Sequence, residues 1–408
     1  MHTWKIKLSL FLNYFVFAIL LNSVGTVILQ VQNNYGITQG DASVLEAFKD
    51  LSIAIVSFLI SSFIVRIGYR NAMLIALGFI TLISLLMPSL HGFWATKLLF
   101  ASVGASFALI KMSVYSTIGI VTKSEKEHIS LMSFIESFFM IGILTGYFIF
   151  GYFVDDTNTQ STNWLKVYYF LGGLSAIAFL LLLSSPLDES GLKTEASHGI
   201  GEFTAMFKLL SSPLVLVFIC CAFFYVLIEQ SIMSWLPTFN NKVLLLPAAL
   251  SIQMASILAG STALGRFLAG ILLQRINWLF ALIGCLLAAA ALVLLAIPLA
   301  DNAGGKIVTG WGDAPIAAFI FPLIGLLLAP IYPAINSVIL STLPAKKHGL
   351  MSGLIIVFSA LGGTTGSIIT GNIFEQYGGQ AAFYFSLVPI TILIISLFFF
   401  KKLQLKVA

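Results

Sequence analysis

Residues 138–155, FFMIGILTGYFIFGYFVD, decide how this chain is read. Their landmarks Phe138, Gly142, Gly146, Gly151 and Asp155 return as Phe358, Gly362, Gly366, Gly371 and Glu375 within residues 358–375, FSALGGTTGSIITGNIFE. The offset is constant at 220, from 138 to 358 and from 155 to 375. With their flanks, both stretches reach the roughly 20 apolar residues that a bilayer-crossing helix needs. Glycines four apart lie on one helical face and let a neighbouring backbone come close. The same close contact is thus written once in each half, which points to a duplication. A second echo lies in the loops. Ser61-x-x-x-Val65-Arg66-Ile67-Gly68 precedes the third apolar run, and Gly270-x-x-x-Gln274-Arg275-Ile276-Asn277 precedes the ninth.

Outward from these stretches, twelve apolar runs fill the chain: 8–31, 41–66, 71–90, 93–122, 128–154, 164–185, 212–238, 247–275, 277–298, 314–343, 348–374 and 380–401. Of 408 residues, 59% are hydrophobic and 9% charged, against roughly 25% charged in a soluble domain. Mean hydropathy is +1.02. Twelve spans leave no room for an extramembrane domain. The expected fold is all-α and integral to the membrane. Six helices occupy residues 1–185, a polar cytoplasmic linker 186–211, and six more helices 212–408.

The loop charges are lopsided. Most of the 21 Lys and Arg residues, among them Lys5, Lys7, Arg66, Arg70, Arg275, Lys401 and Lys402, fall at chain ends and in alternate loops. Only Lys166, Lys242 and Lys306 fall in the opposite loops. That bias puts both termini in the cytoplasm. The net charge of +5 therefore reads as orientation, and no nucleic-acid partner is expected. Lys5 and Lys7 precede an apolar run too long for a signal peptide, so it reads as the first span. Cys220, Cys221 and Cys285 all lie in apolar runs and read as packing thiols. The six tryptophans fall near span ends, where amphipathic rings meet the lipid boundary.

Twelve spans, a 6+6 duplication and a basic loop between spans two and three resemble the major facilitator superfamily along the whole chain. The family's loop signature, Gly-x-x-x-Asp-Arg-x-Gly-Arg-Arg, is matched here at Arg66, Gly68 and Arg70. Ser61 and Val65 replace its Gly and Asp. The resemblance implies a carrier whose two halves rock about a midplane site. It also implies a cytoplasmic gate at Arg66 and Arg70, with Arg275 in the matching loop. The missing Asp means that this gate is built differently.

A narrower likeness is to the fucose/glucose–galactose proton symporter branch. Residues 224–229 (FYVLIE), 265–270 (GRFLAG) and 331–337 (IYPAINS) carry it. That branch's carboxylates on spans one and four fall here at Gly25 and Lys111, so its coupling residues do not carry over.

Ionisable groups inside spans cost about 2.5–3.5 kcal/mol each on insertion scales and are the candidate functional residues. Glu46, Lys49 and Asp50 share one face of the second span. They read either as a cavity triad or as an interfacial cluster that snorkels to water. Lys111 lies deep in the fourth span, either as an anchor for an anionic group or in a fixed ion pair. Glu136 and Glu229 are candidate proton carriers with Glu46 and Asp50, because an unpaired carboxylate in a low dielectric resists ionisation. Arg266 reads as a clamp for a carboxylate, or as a brace for Glu136 or the gate. Asn22 with Thr26, and Tyr332 with Asn336, offer amides and hydroxyls to a solute. Interhelical hydrogen bonding is the plainer reading for each. Pro330 and Pro333 are expected to loosen the tenth helix.

The expected function is proton-coupled symport of a small polar solute, sugar-like or anionic, by a monomer in a bacterial inner membrane. Proton-driven export of drugs or metabolites is the alternative. No phosphate-binding loop is present, and no span pairs two His or a His with a Cys. ATP hydrolysis, a membrane-embedded enzyme and any cofactor or metal are therefore not expected.

Overall fold

The computed structural model describes residues 3–61, 64–90, 92–122, 124–187, 189, 204, 206–273, 275–301, 308–344 and 347–407. Helices joined by short turns make up almost all of it. That follows from the solvent. Lipid offers backbone N–H and C=O groups no partner, and a helix satisfies them within one segment.

The first span runs as Thr3–Asn22 and Val24–Tyr35, and the second as Gln39–Ala42 and Val44–Ser61. The third to sixth are Tyr69–Leu86, Phe93–Val121, Glu125–Phe153 and Val167–Leu183. The seventh runs as Pro213–Met233 and Leu236–Lys242, the eighth as Ala248–Met254 and Ser256–Leu272, and the ninth as Trp278–Asp301. The tenth ends with Ile331–Thr342, the eleventh is His348–Tyr377, and the twelfth runs as Gly379–Tyr384 and Leu387–Val407. Among the described residues, eleven helical segments are long and apolar enough to cross a membrane. Val44–Ser61, at 18 residues, has a span's length but carries Glu46, Lys49 and Asp50.

In two of these broken spans the break falls where the sequence disfavours a continuous helix. The first pauses at Ser23, whose Oγ donates to the Leu20 carbonyl at 2.7 Å. Such local bonding competes with the helical ladder. The tenth is interrupted before Ile331, at Ala329 and Pro330, because proline lacks an N–H and crowds the preceding turn. The loosening expected there is seen at Pro330, while Pro333 lies within the continuous Ile331–Thr342 helix.

Two compact units form, Met1–Gly36 with Phe48–His198, and Ile37–Ala47 with Gly199–Ala408. In the first, the fifth span packs against the first. A Cβ at Gly142 would sit 2.7 Å from Ala18 Cβ and 2.8 Å from the Phe15 carbonyl. In the second, the eleventh span packs against the seventh. A Cβ at Gly362 would sit 2.5 Å from the Phe223 carbonyl oxygen. The repeated glycines therefore do the same work in each unit. The second unit also holds the tip of the second span, where Gly40 N–H donates to Glu375 Oε2 at 2.7 Å.

Most of the linker expected at 186–211 lies outside the described residues, as do Lys193 and Lys306. Glu189 is described. Its Oε1 accepts from the Arg70 N–H at 2.8 Å. It supplies a carboxylate to the loop in which Val65 replaces the family's Asp. Gly68, in the same loop, has φ of +86°, a conformation that side chains resist.

The tryptophans divide. Trp4 and Trp94 are exposed as a lipid boundary requires, but Trp164 and Trp235 are fully buried. Each buried indole spends its N–H inside the protein, Trp164 on Asn34 Oδ1 and Trp235 on the Ser367 carbonyl at 3.1 Å. For these two, proximity to a span end reflected helix packing rather than the bilayer interface.

Candidate functional site

Each unit gathers one carboxylate, two tyrosines and one cation. In the first unit the carboxylate is Glu136 on the fifth span. The Tyr115 hydroxyl, from the fourth span, donates to Glu136 Oε1 at 2.8 Å. Tyr14, from the first span, lies against Tyr115 with ring centroids 6.2 Å apart. Lys111 is one turn from Tyr115 on the fourth span and within Coulombic reach of Glu136. The two form no direct ion pair among the described residues. The Lys111 side chain is exposed. Its Nζ lies 5.9 Å from the Phe107 ring centre. Phe107 in turn meets Tyr14, Phe17 and Phe139 at 6.0–6.3 Å. An aromatic wall thus stands beside a charged pair in the middle of a span.

In the second unit the carboxylate is Glu229 on the seventh span. Tyr225, one turn earlier, donates to Glu229 Oε1 at 2.8 Å. Tyr332, from the tenth span, stacks on Tyr225 at 5.4 Å and 23°. Its hydroxyl shares a hydrogen bond with Ser359 Oγ of the eleventh span at 2.9 Å. Arg266, from the eighth span, is within Coulombic reach of Tyr225. Asn336 lies one turn after Tyr332, and its buried Oδ1 has no hydrogen-bond partner among the described residues. A buried amide oxygen left open costs about 1–3 kcal/mol, which a bound hydroxyl or amine would recover. The structure thus brings Glu229, Tyr332, Asn336 and Arg266 together, and adds Tyr225 and Ser359.

Asn22 and Thr26 also meet. Both line a narrow crevice with Ser23, Ile143 and Gly146, whose free space of about 10 Å³ is at the threshold for one water molecule. Asn22 also donates to the Ala18 carbonyl at 2.8 Å. The pair forms a water-sized niche in its unit.

The charges of the second span do not snorkel. Glu46, Lys49 and Asp50 are only 0%, 6% and 8% exposed. Ser234 Oγ, on the seventh span's turn, donates to Glu46 Oε2 at 2.7 Å. Lys49 Nζ lies 3.4 Å from Asp50 Oδ1. Burial with partners replaces the interfacial reading.

Among the arginines expected at a gate, Arg66 and Arg275 are exposed. Arg70 is engaged. Its Nη2 donates to the Leu183 carbonyl at 2.7 Å and its Nε to the Ser185 carbonyl at 3.0 Å. A cation on the open carbonyls of a helix C-terminus is favourable for the sixth span.

Of the four tyrosines, Tyr332 was singled out from sequence, and Tyr14, Tyr115 and Tyr225 were not. In an apolar helix a tyrosine reads as packing, although Tyr225-x-x-x-Glu229 is a legible one-turn pair. Tyr115 and Glu136 are joined only by tertiary packing and left no such trace.

Solved transporters share this architecture. The nucleoside transporter NupG matches at a TM-score of 0.73 and 15% identity, over 99% of this chain and 99% of its own. A D-xylose-proton symporter matches at 0.73 and 12%, over 97% of each chain. FucP in its outward conformation matches at 0.61 and 14%, over 98% and 99%. Among curated proteins, none matches the sequence. At these identities the structures speak for the fold alone, and the family rests on sequence. With residues 10–321 matching the family's sequence model, this multi-pass membrane protein belongs to the Major Facilitator Superfamily.

Proposed function

We propose that the protein is a proton-coupled symporter of a small polar solute, sugar-like or anionic. In this reading it works by alternating access in a bacterial inner membrane, as a monomer with both termini in the cytoplasm. Residues 1–185 and 212–408 are its moving halves and 186–211 their linker. The observation that carries the reading is the Glu229 cluster. A carboxylate is held within a span by Tyr225, beside Tyr332 and the open Asn336 Oδ1. Isolated carboxylates are costly in lipid, and those that persist mark proton relays or substrate and ion pathways. Tyrosine hydroxyls and an amide oxygen suit a hydroxylated cargo. Glu136, Glu46 and Asp50 are further proton sites. Lys111, Arg266, Asn22, Thr26, Tyr332 and Asn336 contact cargo, and Arg66, Arg70 and Arg275 serve the gate. The D-xylose-proton symporter among the structural relatives supports the same class of activity.

The test has two stages. A thermal-shift screen of the purified protein against sugars, amino acids, organic acids and drugs identifies cargo. In proteoliposomes, an inward pH gradient should then drive its accumulation. Glu229→Gln should abolish that accumulation and leave part of the exchange between internal and external cargo. Unchanged pH dependence in the variant rejects Glu229 as the proton site.

A further inference from the structure

Lys111 lies ten residues before the end of the Phe93–Val121 helix, roughly 15 Å at 1.5 Å per residue. That is farther than a lysine stem reaches, so the ammonium stays at depth. It is exposed, within Coulombic reach of Glu136, yet not closed into an ion pair with it. A cation kept at that depth of a span is costly and is found paired or lining a cavity. Glu136 balances it from a distance, which leaves the ammonium's near side for another anion.

Among the described residues of its unit, three groups face Glu136. From the first span comes Tyr14, and from the fourth come Lys111 and Tyr115. The other described charges of these packed helices lie away from it. Lys7 of the first span is paired with Glu127 at 2.8 Å, nine residues or roughly 14 Å along the fifth. The sixth span's Tyr168 meets the fifth at Phe150, roughly 21 Å along. With Lys111 and Glu136 both ionised, the cluster is neutral. A bound anion makes its net charge −1, and one proton on Glu136 restores neutrality.

We infer that the cargo carries an anionic group, that Lys111 is its anchor, and that Glu136 releases Lys111 by taking up the proton. The inference rests on the carrier reading above and names its cargo class, small hydroxylated organic anions. One proton from the outer medium adds to a Glu136 oxygen. Lys111 remains an ammonium throughout, exchanging its distant carboxylate for the cargo's. Anion and proton then cross together because either alone leaves unbalanced charge at depth.

Thermal shift with matched pairs tests this on the full-length purified protein: gluconate against glucose, galacturonate against galactose, and lactate against lactamide. All three acids are ionised at both pH 6 and pH 8. The expected result is a rise in Tm with at least one acid and a smaller rise with its neutral partner, larger at pH 6. Lys111→Gln should lose the preference and Lys111→Arg keep it. Glu136→Gln should keep it and bind equally at both pH values. No acid preference in the wild type, a preference surviving Lys111→Gln, or a pH dependence surviving Glu136→Gln would each overturn the inference. Proteoliposome uptake separates it from the parent reading. Proton-driven uptake of a neutral sugar, unaffected by Lys111→Gln, sinks this inference and leaves the carrier standing. Lys111-dependent acid binding without gradient-driven uptake removes the carrier reading instead.

Discussion

The Tyr225 hydroxyl and the Glu229 carboxylate meet at 2.8 Å one turn apart on a single helix. Tyr115 and Glu136 meet at the same distance across two helices. In each unit a second tyrosine from another span stands against the first. Both carboxylates thus accept from a tyrosine hydroxyl that is itself packed against a second ring.

Removing that donor should impair coupling without removing the carboxylate. A hydrogen bond to a charged group contributes about 1.5–3 kcal/mol, so Tyr225→Phe should reduce gradient-driven uptake roughly ten- to hundredfold. A double-mutant cycle with Glu229→Gln, read on the exchange that this variant retains, should be strongly non-additive, because the residues act as one unit. Additive effects on the exchange rate would mean that Tyr225 acts elsewhere.

The glycine contacts predict stability losses rather than functional ones. Gly362→Leu drives a side chain into the Phe223 carbonyl, and Gly142→Leu into Ala18 and the Phe15 carbonyl. Backbone cannot yield as a side-chain tip can, and overpacking costs about 1–3 kcal/mol or more. Both variants should lower Tm by several degrees, read by fluorescence of the purified protein. Gly284→Leu, where nothing stands within 4 Å, should leave Tm close to wild type.

Spacing alone made these contacts legible, because helical geometry fixes which residues share a face. The cost of charge in lipid likewise picked out Glu229, Arg266, Glu136 and Lys111. What pattern could not supply was neighbourhood. Glu46 reads identically from sequence whether it reaches water or lies buried against Ser234. The hold of Arg70 on the Leu183 and Ser185 carbonyls likewise leaves no trace in the sequence. Tyr14 and Tyr115 sit far apart in sequence and meet only through packing.

Ser234→Ala tests the burial of Glu46. The carboxylate is fully buried and loses one donor, which should destabilise the protein by about 1.5–3 kcal/mol. Glu46→Gln keeps a partner for Ser234 and removes the buried charge, so its Tm should fall less. The reverse order of melting temperatures would contradict this account.

Arg70→Ala should release the end of the sixth span. Two carbonyls lose their donors, while Glu189 keeps the backbone N–H of residue 70. Limited proteolysis should then cut faster after Leu183 than in wild type. Arg70→Lys should protect only partly, since one ammonium cannot match a planar fork.

Asp155 gives a pH prediction outside the membrane. Hydrogen bonds from the Thr157 hydroxyl and N–H, and from the Asn158 N–H, hold its carboxyl below the usual range. A depressed folded value means that this stabilisation is present above about pH 4. It is lost as pH falls through the depressed value. Carboxyl NMR should find Asp155 titrating at lower pH than a free aspartate, and Thr157→Ala should move it back up.

The duplicated framework did not copy its chemistry. At the offset of 220, Glu136 corresponds to Ile356. If Tyr14 is matched to Tyr225, Glu229 corresponds to Ala18. One acid rides a fifth helix and the other a seventh, so exchanging the two halves would not restore the starting molecule. Twin frames with unlike fittings give each half its own part, so a lesion in one half has no equivalent lesion in the other.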